Sequence, residues 1–268
     1  MTPIVSSIIH TILFYDAVGK VALTKLELYK YIINTPDLPA FGNFLKILDQ
    51  EWPTLQPHIK RARGFYFLKK NEAGYSRRIH IGKTGIKKWR TARIMIRAMS
   101  FLPYVRMVAV TGSLALNTTH RESDIDVLIC AKHGHIWTAR ILVTALMHIL
   151  GKRRHGKKIS NRICLNHYIS DKSADLGPRN LFSDHISKTM IPVWSRTKES
   201  LAERLLTNTV AKPMESFLRA AQIRKIKHRE VIFEDSALVF HHPRPQNQEA
   251  LYLYKQNLSH FAKATRDK

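Results

Sequence analysis

Acidic residues are scarce in this chain. Its 268 residues hold 20 Asp and Glu against 44 Lys and Arg, a formal net charge of +24. Such an excess attracts polyanions through counterion release and long-range steering, and nucleic acid is the first partner to expect. Cysteine is scarcer still, with only Cys130 and Cys164, both inside apolar runs. They offer neither zinc-site spacing nor a disulfide framework, which fits a reducing cytoplasm. Long apolar runs are also missing. The stretch MTPIVSSIIHTILFY is too short and too interrupted by His10 to span a bilayer. It lacks a basic leader and a small-residue cleavage site, so it reads as a core helix, and no membrane role is expected. There is no internal repeat and no low-complexity block.

What is present suffices for a packed core, since hydrophobic residues make up 44% of the chain. Three regions follow from the patterning: residues 1–85, 86–190 and 191–268. In the first, TPIVSSIIHTILFYDAV has helical spacing after a Thr-Pro start. LTKLELYKYII follows, with Thr24 and Glu27 spaced as a capping box. FGNFLKILDQEWPTL is a third periodic segment, ended by Pro53. GFYFLKK, NEAG and YSRRIHI read as strand, turn and strand. Three helices and a terminal hairpin describe a winged-helix-like module, with the hairpin as wing. Such modules bind nucleic acid or dock proteins.

A basic connector comes next. From Lys60 to Arg97 the chain has thirteen Lys and Arg and one acid, Glu72. IKKWRTARIMIRAMSFL reads as a helix with Ile86, Ile94, Met95, Ala98, Met99 and Leu102 on or near one face. Beyond it, YVRMVAV, DIDVLIC and ICLNHYIS read as buried strands. IWTARILVTALMHIL is an amphipathic helix, and GKRRHGKKISNR a basic loop. After about Asp184 the pattern is mostly helical and ends in a polar tail.

In a chain so poor in acids, two carboxylates stand two residues apart on a strand that is otherwise apolar. Side chains alternate along a strand, so Asp124 and Asp126 share a face with Ile125 between them. Two carboxylates that close cannot both stay ionised in a dry site without a cation. Two hard oxygen donors suit Mg2+, which keeps coordination positions for waters and substrate phosphates. Ten residues earlier an apolar strand ends in Gly112 and Ser113. The glycine allows close backbone approach to a phosphate, and a helix starting at Ser113 would turn free N–H groups toward anionic oxygens. The combination describes a cradle for a metal-bound triphosphate.

The pattern of Gly112, Ser113, ten residues, then Asp124 and Asp126 between apolar neighbours resembles the signature of the DNA polymerase beta-type nucleotidyltransferase superfamily. The resemblance covers roughly residues 88–190. It implies an α+β fold: a polymerase-beta-like nucleotidyltransferase core with a mixed sheet and flanking helices, behind the winged-helix-like module and followed by a helical segment. It also implies transfer of a nucleoside monophosphate from an NTP by two-metal catalysis with Mg2+ or Mn2+. Asp124 and Asp126 would be catalytic and metal-binding. Gly112 and Ser113 would bind the substrate. The acceptor is open between RNA or DNA, a protein partner and a small molecule. A non-catalytic nucleic-acid-binding protein that senses nucleotide, or an antitoxin-like protein-modifying member, is the alternative.

One departure stands out. The superfamily usually has a third carboxylate on a neighbouring strand, and RICLNHYISD has no acid in its body. Asn166 or Cys164 occupies the corresponding place, and Asn166 is assigned as the substrate-side residue there. Asp171 and Asp175 follow in what reads as a loop. Other motifs carry less. GKTG (Gly82 to Gly85) lacks the glycine spacing of a P-loop and reads as a turn. HGH (His133 to His135) reads as a loop, and HHP (His241 to Pro243) as surface.

Overall fold

The computed structural model describes residues 2–35, 37–172, 181–200, 203, 208–226, 231–234, 237–240 and 254–255, without the side chains of residues 166, 182–183, 208–211, 225–226, 231–234 and 237–240. The chain divides into two compact units, residues 1–81 with 244–268, and residues 82–243. Among the described residues no helix is long and apolar enough to cross a membrane.

In the first unit α1 (Pro3–Gly19) is a core helix, as its composition requires. Val5, Ile8, Ile9, Ile12, Leu13, Phe14 and Tyr15 are all buried. It stops at Lys20, whose left-handed backbone lets its N–H donate to the Asp16 carbonyl at 2.8 Å. After β1 (Leu23–Thr24), α2 (Lys25–Lys30) starts with the expected capping box. The Glu27 N–H donates to Thr24 Oγ1 at 3.2 Å, and the Thr24 N–H to Glu27 Oε2 at 2.9 Å. α3 (Phe41–Gln50) and α4 (Trp52–Leu55) follow.

The hairpin lies earlier than expected. It joins β2 (Ile59–Ala62) to β3 (Phe65–Leu68), and β1 completes a three-stranded antiparallel sheet in the order β1-β3-β2. Its turn is Arg63 and Gly64, with φ of 46° and 81°. Two successive positive φ values match the twist of a tight hairpin. The stretch expected to be the second wing strand, Tyr75 to Ile81, is instead largely helical, within α5 (Glu72–Ile79). Asn71 caps that helix by accepting from the Gly74 N–H at 3.3 Å. The helical turn also brings two contacts a strand would separate. Tyr75 stacks on Phe67 with ring centres 5.0 Å apart, and Arg78 donates to both oxygens of Glu27 at 2.8 Å.

The second unit is built on a mixed six-stranded sheet, order β7-β4-β5-β6-β9-β8. Its strands are β4 (Val105–Val110), β5 (Ile125–Ala131), β6 (Ile163–Ser170), β7 (Ile191–Ser195), β8 (Val231–Glu234) and β9 (Ala237–Phe240). Only β5 and β6 are parallel; the other neighbours are antiparallel. Alternation divides the strands between two apolar layers. Val108, Val110, Val127, Ile129 and Tyr168 pack with α6 (Gly82–Met99) and α8 (Ile136–Ile149). Ala109, Leu128, Cys130 and Ile169 pack with Ile186 of α9 (Leu181–Thr189) and with Met190.

Three expectations are corrected here. Gly82 to Gly85 is the first turn of α6. That helix buries Gly85, Lys88, Ala92, Met95, Ile96 and Met99, while Ile86 and Ile94 are exposed. The region beyond residue 190 is not helical throughout: β7 pairs with β4, and β9 pairs with β6. These strands have four or five residues, too few to show a period against the helical pattern around them. The remaining helix, α10 (Asn208–Ile226), ties itself to α8 through Glu215, which accepts from the N–H groups of Trp137 and Thr138 at 2.8 Å.

Candidate active site

The site lies where β4 ends and where β5 and β6 begin. β4 leads through Thr111 into the short helix α7 (Gly112–Ala115). The Thr111 N–H donates to the Asp126 carbonyl at 3.0 Å, which holds the turn beside the start of β5. Gly112 has φ +64°, and a Cβ there would stand 2.5 Å from Asp126 Oδ2. The glycine is needed for its backbone conformation and also for the space that the Asp126 carboxylate occupies.

The ten residues between Ser113 and Asp124 form a folded loop. The Thr118 N–H donates to the Ser113 carbonyl at 2.8 Å, and the His120 N–H to Ser123 Oγ at 3.0 Å. Lys88, 2% exposed, reaches from the inner face of α6 and donates to the Ser123 carbonyl and, at 3.4 Å, to that of Arg121. Burial lowers the Lys88 pKa, although Asp124 and Glu122 pull the other way. Asp124 is 4% exposed and Asp126 half-buried.

β6 supplies the third group. In the parallel register Asp126 stands opposite Cys164. One oxygen from each aspartate and the Cys164 sulfur all lie within 4.8 Å of one another, the spread expected of donors able to share one ion. Burial, and then the charges of Asp126 and Asp124, push the Cys164 thiol well above the usual range. The aspartate pair fits a divalent cation, which Asp124 and Asp126 would hold.

The basic loop also enters the site, in a way the sequence did not signal. The Ile163 N–H donates to the Lys152 carbonyl at 2.7 Å, and the Arg154 N–H to the Ile163 carbonyl at 2.9 Å. These bonds lay residues 152–154 along the start of β6. Arg154 Nη1 then donates to Asp124 Oδ2 and, at 3.4 Å, to Cys164 Sγ. Burial works against the Arg154 charge, but Asp124, Cys164 and Asp126 together outweigh it and the pKa is raised.

The candidates drawn from the sequence thus separate. Gly112, Asp124 and Asp126 come together, and Ser113 adjoins them in α7. Asn166 lies in β6, where one extra residue falls between Cys164 and His167; its side chain is outside the described residues. Asp175 also lies outside them. Asp171 is at the opposite end of the sheet, where its N–H donates to the Ala131 carbonyl and its Oδ1 accepts from the His133 N–H at 2.8 Å. A seven-residue strand separates it from Asp124, about 20 Å. His133 is exposed, and His135 is buried and stacked on Tyr104 with ring centres 4.1 Å apart.

Residues 92–184 match the family model described as "Nucleotidyltransferase domain". A solved chain described as "Crystal structure of the toxin-antitoxin with AMP-PNP" is similar at 18% identity, over 52% of this chain and 96% of that one. Its TM-score of 0.26 lends it no weight for the fold. No curated protein matches the chain. The family match coincides with the strand–Gly-Ser–helix–Asp-x-Asp arrangement, and over residues 92–184 the chain is a nucleotidyltransferase domain of the polymerase beta-like kind.

Proposed function

We propose that the protein transfers a nucleoside monophosphate from an NTP to a hydroxyl of a nucleic acid. The observation that carries this reading is the grouping of Asp124, Asp126 and Gly112 at one sheet end, inside the matched domain. A divalent cation bound there would supply positive charge to the triphosphate and to the oxygens gaining charge during transfer. Asp124 and Asp126 would hold that charge in place. Gly112 keeps the backbone close to Asp126, and Ser113 opens the short helix on the phosphate side. The acceptor hydroxyl attacks the α-phosphorus and pyrophosphate leaves. A two-metal form of this chemistry asks for a third donor, and Cys164 is the group beside Asp126.

The acceptor class is supported by α6. Lys83, Lys87, Arg90, Arg93 and Arg97 are all exposed on it, and it contains no acid. The opposite side of the same helix carries Lys88 to the loop before Asp124. A phosphate backbone lying on the basic face would be one helix diameter, about 10 Å, from the side that meets this loop. For residues 1–85, the order helix, strand, three helices, hairpin supports a winged-helix-like module able to bind the same polymer. Residues 86–190 would be the catalytic core, with the segment from 191 completing its sheet. Two unpaired buried cysteines accord with a cytoplasmic setting.

A second reading, a nucleotide-sensing nucleic-acid-binding protein without turnover, is favoured by Cys164 in place of an acid. Incubation with each α-32P-labelled NTP, a divalent cation and total RNA separates the two. Label in RNA supports transfer, while NTP binding with no label in any product supports sensing. Label on protein alone would redirect the acceptor to a protein partner.

A further inference from the structure

Cys164 is the feature of the site that the resemblance does not supply. It is 1% exposed and sits on the strand next to Asp126, in register with it. Among the described residues, Asp124, Asp126 and Cys164 are the group whose donor atoms are close enough to share an ion. Donors about 2.0–2.3 Å from a common ion stand at most about 4.5 Å apart. A pair at the observed limit of 4.8 Å would have to close by about 1 Å around a tetrahedral ion. A second observation points to the same place. The Arg154 guanidinium, itself a cation, donates to Asp124 and to Cys164 Sγ together. Positive charge already sits between these two groups.

We propose that Cys164 is a metal ligand, and that Asp124, Asp126 and Cys164 together form a mixed oxygen–sulfur site for a thiophilic divalent cation of the Zn2+ type rather than for Mg2+. This rests on the reading that the two aspartates hold a cation. Carboxylates alone suit Mg2+ and Mn2+, whereas a thiolate selects softer ions. On binding, the sulfur–metal bond replaces the S–H bond, and the proton leaves to solvent. The ion displaces the Arg154 guanidinium from its place between Asp124 and Cys164. The other cysteine does not compete. Cys130 lies four residues beyond Asp126 on the same face of β5, about 13 Å along the strand, packed with Ala109, Leu128 and Ile169.

The test uses the full-length protein, stripped of metal and titrated with Co2+ alone. The expected result is a near-ultraviolet thiolate-to-Co2+ charge-transfer band that Cys130→Ser keeps and Cys164→Ser loses. Zn2+ should bleach the band at concentrations at least about 100-fold below those of Mg2+. Cys164→Asp, which restores an all-oxygen set, should lose the band and bind Mg2+ about 10-fold or more tighter than the parent. This variant also decides the matter if Cys164→Ser fails to fold. Co2+ binding to the parent without the band would overturn the proposal and leave the aspartate reading standing. So would a band that survives in Cys164→Asp. Absence of any divalent-cation binding, with or without ATP, would overturn both.

Discussion

Gly112 and Asp126 are in contact through an atom that is missing: a Cβ on Gly112 would stand 2.5 Å from Asp126 Oδ2. The turn after β4 and the Asp126 carboxylate are thus one packed unit. Gly112→Ala meets both the carboxylate and a left-handed backbone. It should cost about 1–2 kcal/mol in backbone strain and displace the Asp126 side chain as well. Thermal melts should show a modest loss of stability, and transfer should fall out of proportion to it.

Arg154 is ion-paired with Asp124. Replacing it with Met removes a competitor for that carboxylate. Divalent-cation affinity in the absence of nucleotide should therefore rise, by about 10-fold for a partly buried ion pair. Calorimetric titration of the parent and Arg154→Met with Mn2+ checks this. Unchanged affinity would mean that the ion and the guanidinium do not share the position.

A second buried charge cluster anchors the far end of the sheet. Glu203 accepts from both Nη atoms of Arg106 at 3.0 and 2.7 Å, from Arg196 at 3.0 Å and from the Tyr104 N–H at 2.8 Å. Burial opposes the charge, but the hydrogen bonds from Arg106, the Tyr104 N–H and the Ser200 hydroxyl outweigh it and hold Glu203 down at about 2, from a usual 4.5. A depressed carboxylate contributes stability above its unfolded pKa and loses it as the pH falls toward the folded one. Glu203→Gln should therefore cost about 3 kcal/mol at neutral pH, where Arg106 is left without its counter-charge. The gap in melting temperature between parent and variant should narrow as the pH is lowered from 4.5 toward 2.

Nucleic-acid affinity should fall steeply with salt. Charge alone would recruit Arg77, Arg78, Lys87 and Lys88, but Arg78 is paired with Glu27 and Lys88 is buried. The informative set is Lys83, Lys87, Arg90 and Arg97 on the outer face of α6. Changing all four to Gln should flatten the log–log salt slope by about 0.9 for every duplex phosphate that is no longer neutralised, or about 0.7 on single strands. Filter binding at several salt concentrations measures it. An unchanged slope would place the polymer elsewhere.

Local rules made part of this molecule legible. Thr24 with Glu27, and Gly112 with the two aspartates, are set by short spacings that the backbone reproduces. The misplaced hairpin has a physical cause: Arg63–Gly64 makes the turn without the Asn or Asp that usually announces it, whereas Asn71 caps a helix instead. The third donor could not be chosen between Cys164 and Asn166, because the register of β6 against β5 depends on an extra residue that alternation does not reveal. Arg154 was invisible for a different reason. It is thirty residues from Asp124 in a loop whose charge looked like solvated surface, and only strand addition beside Ile163 brings it in.

The central claim is that Asp124 and Asp126 carry nucleotidyl transfer. Single-turnover transfer from α-32P-labelled NTP to RNA, compared between the parent and Asp126→Asn, tests it most directly. Asn keeps the size of the side chain beside Gly112 and removes its charge. The account predicts a fall of about 100-fold or more, roughly 3 kcal/mol of barrier, in a protein with an unchanged melting profile. Transfer at the parent's rate by a folded Asp126→Asn protein would contradict it.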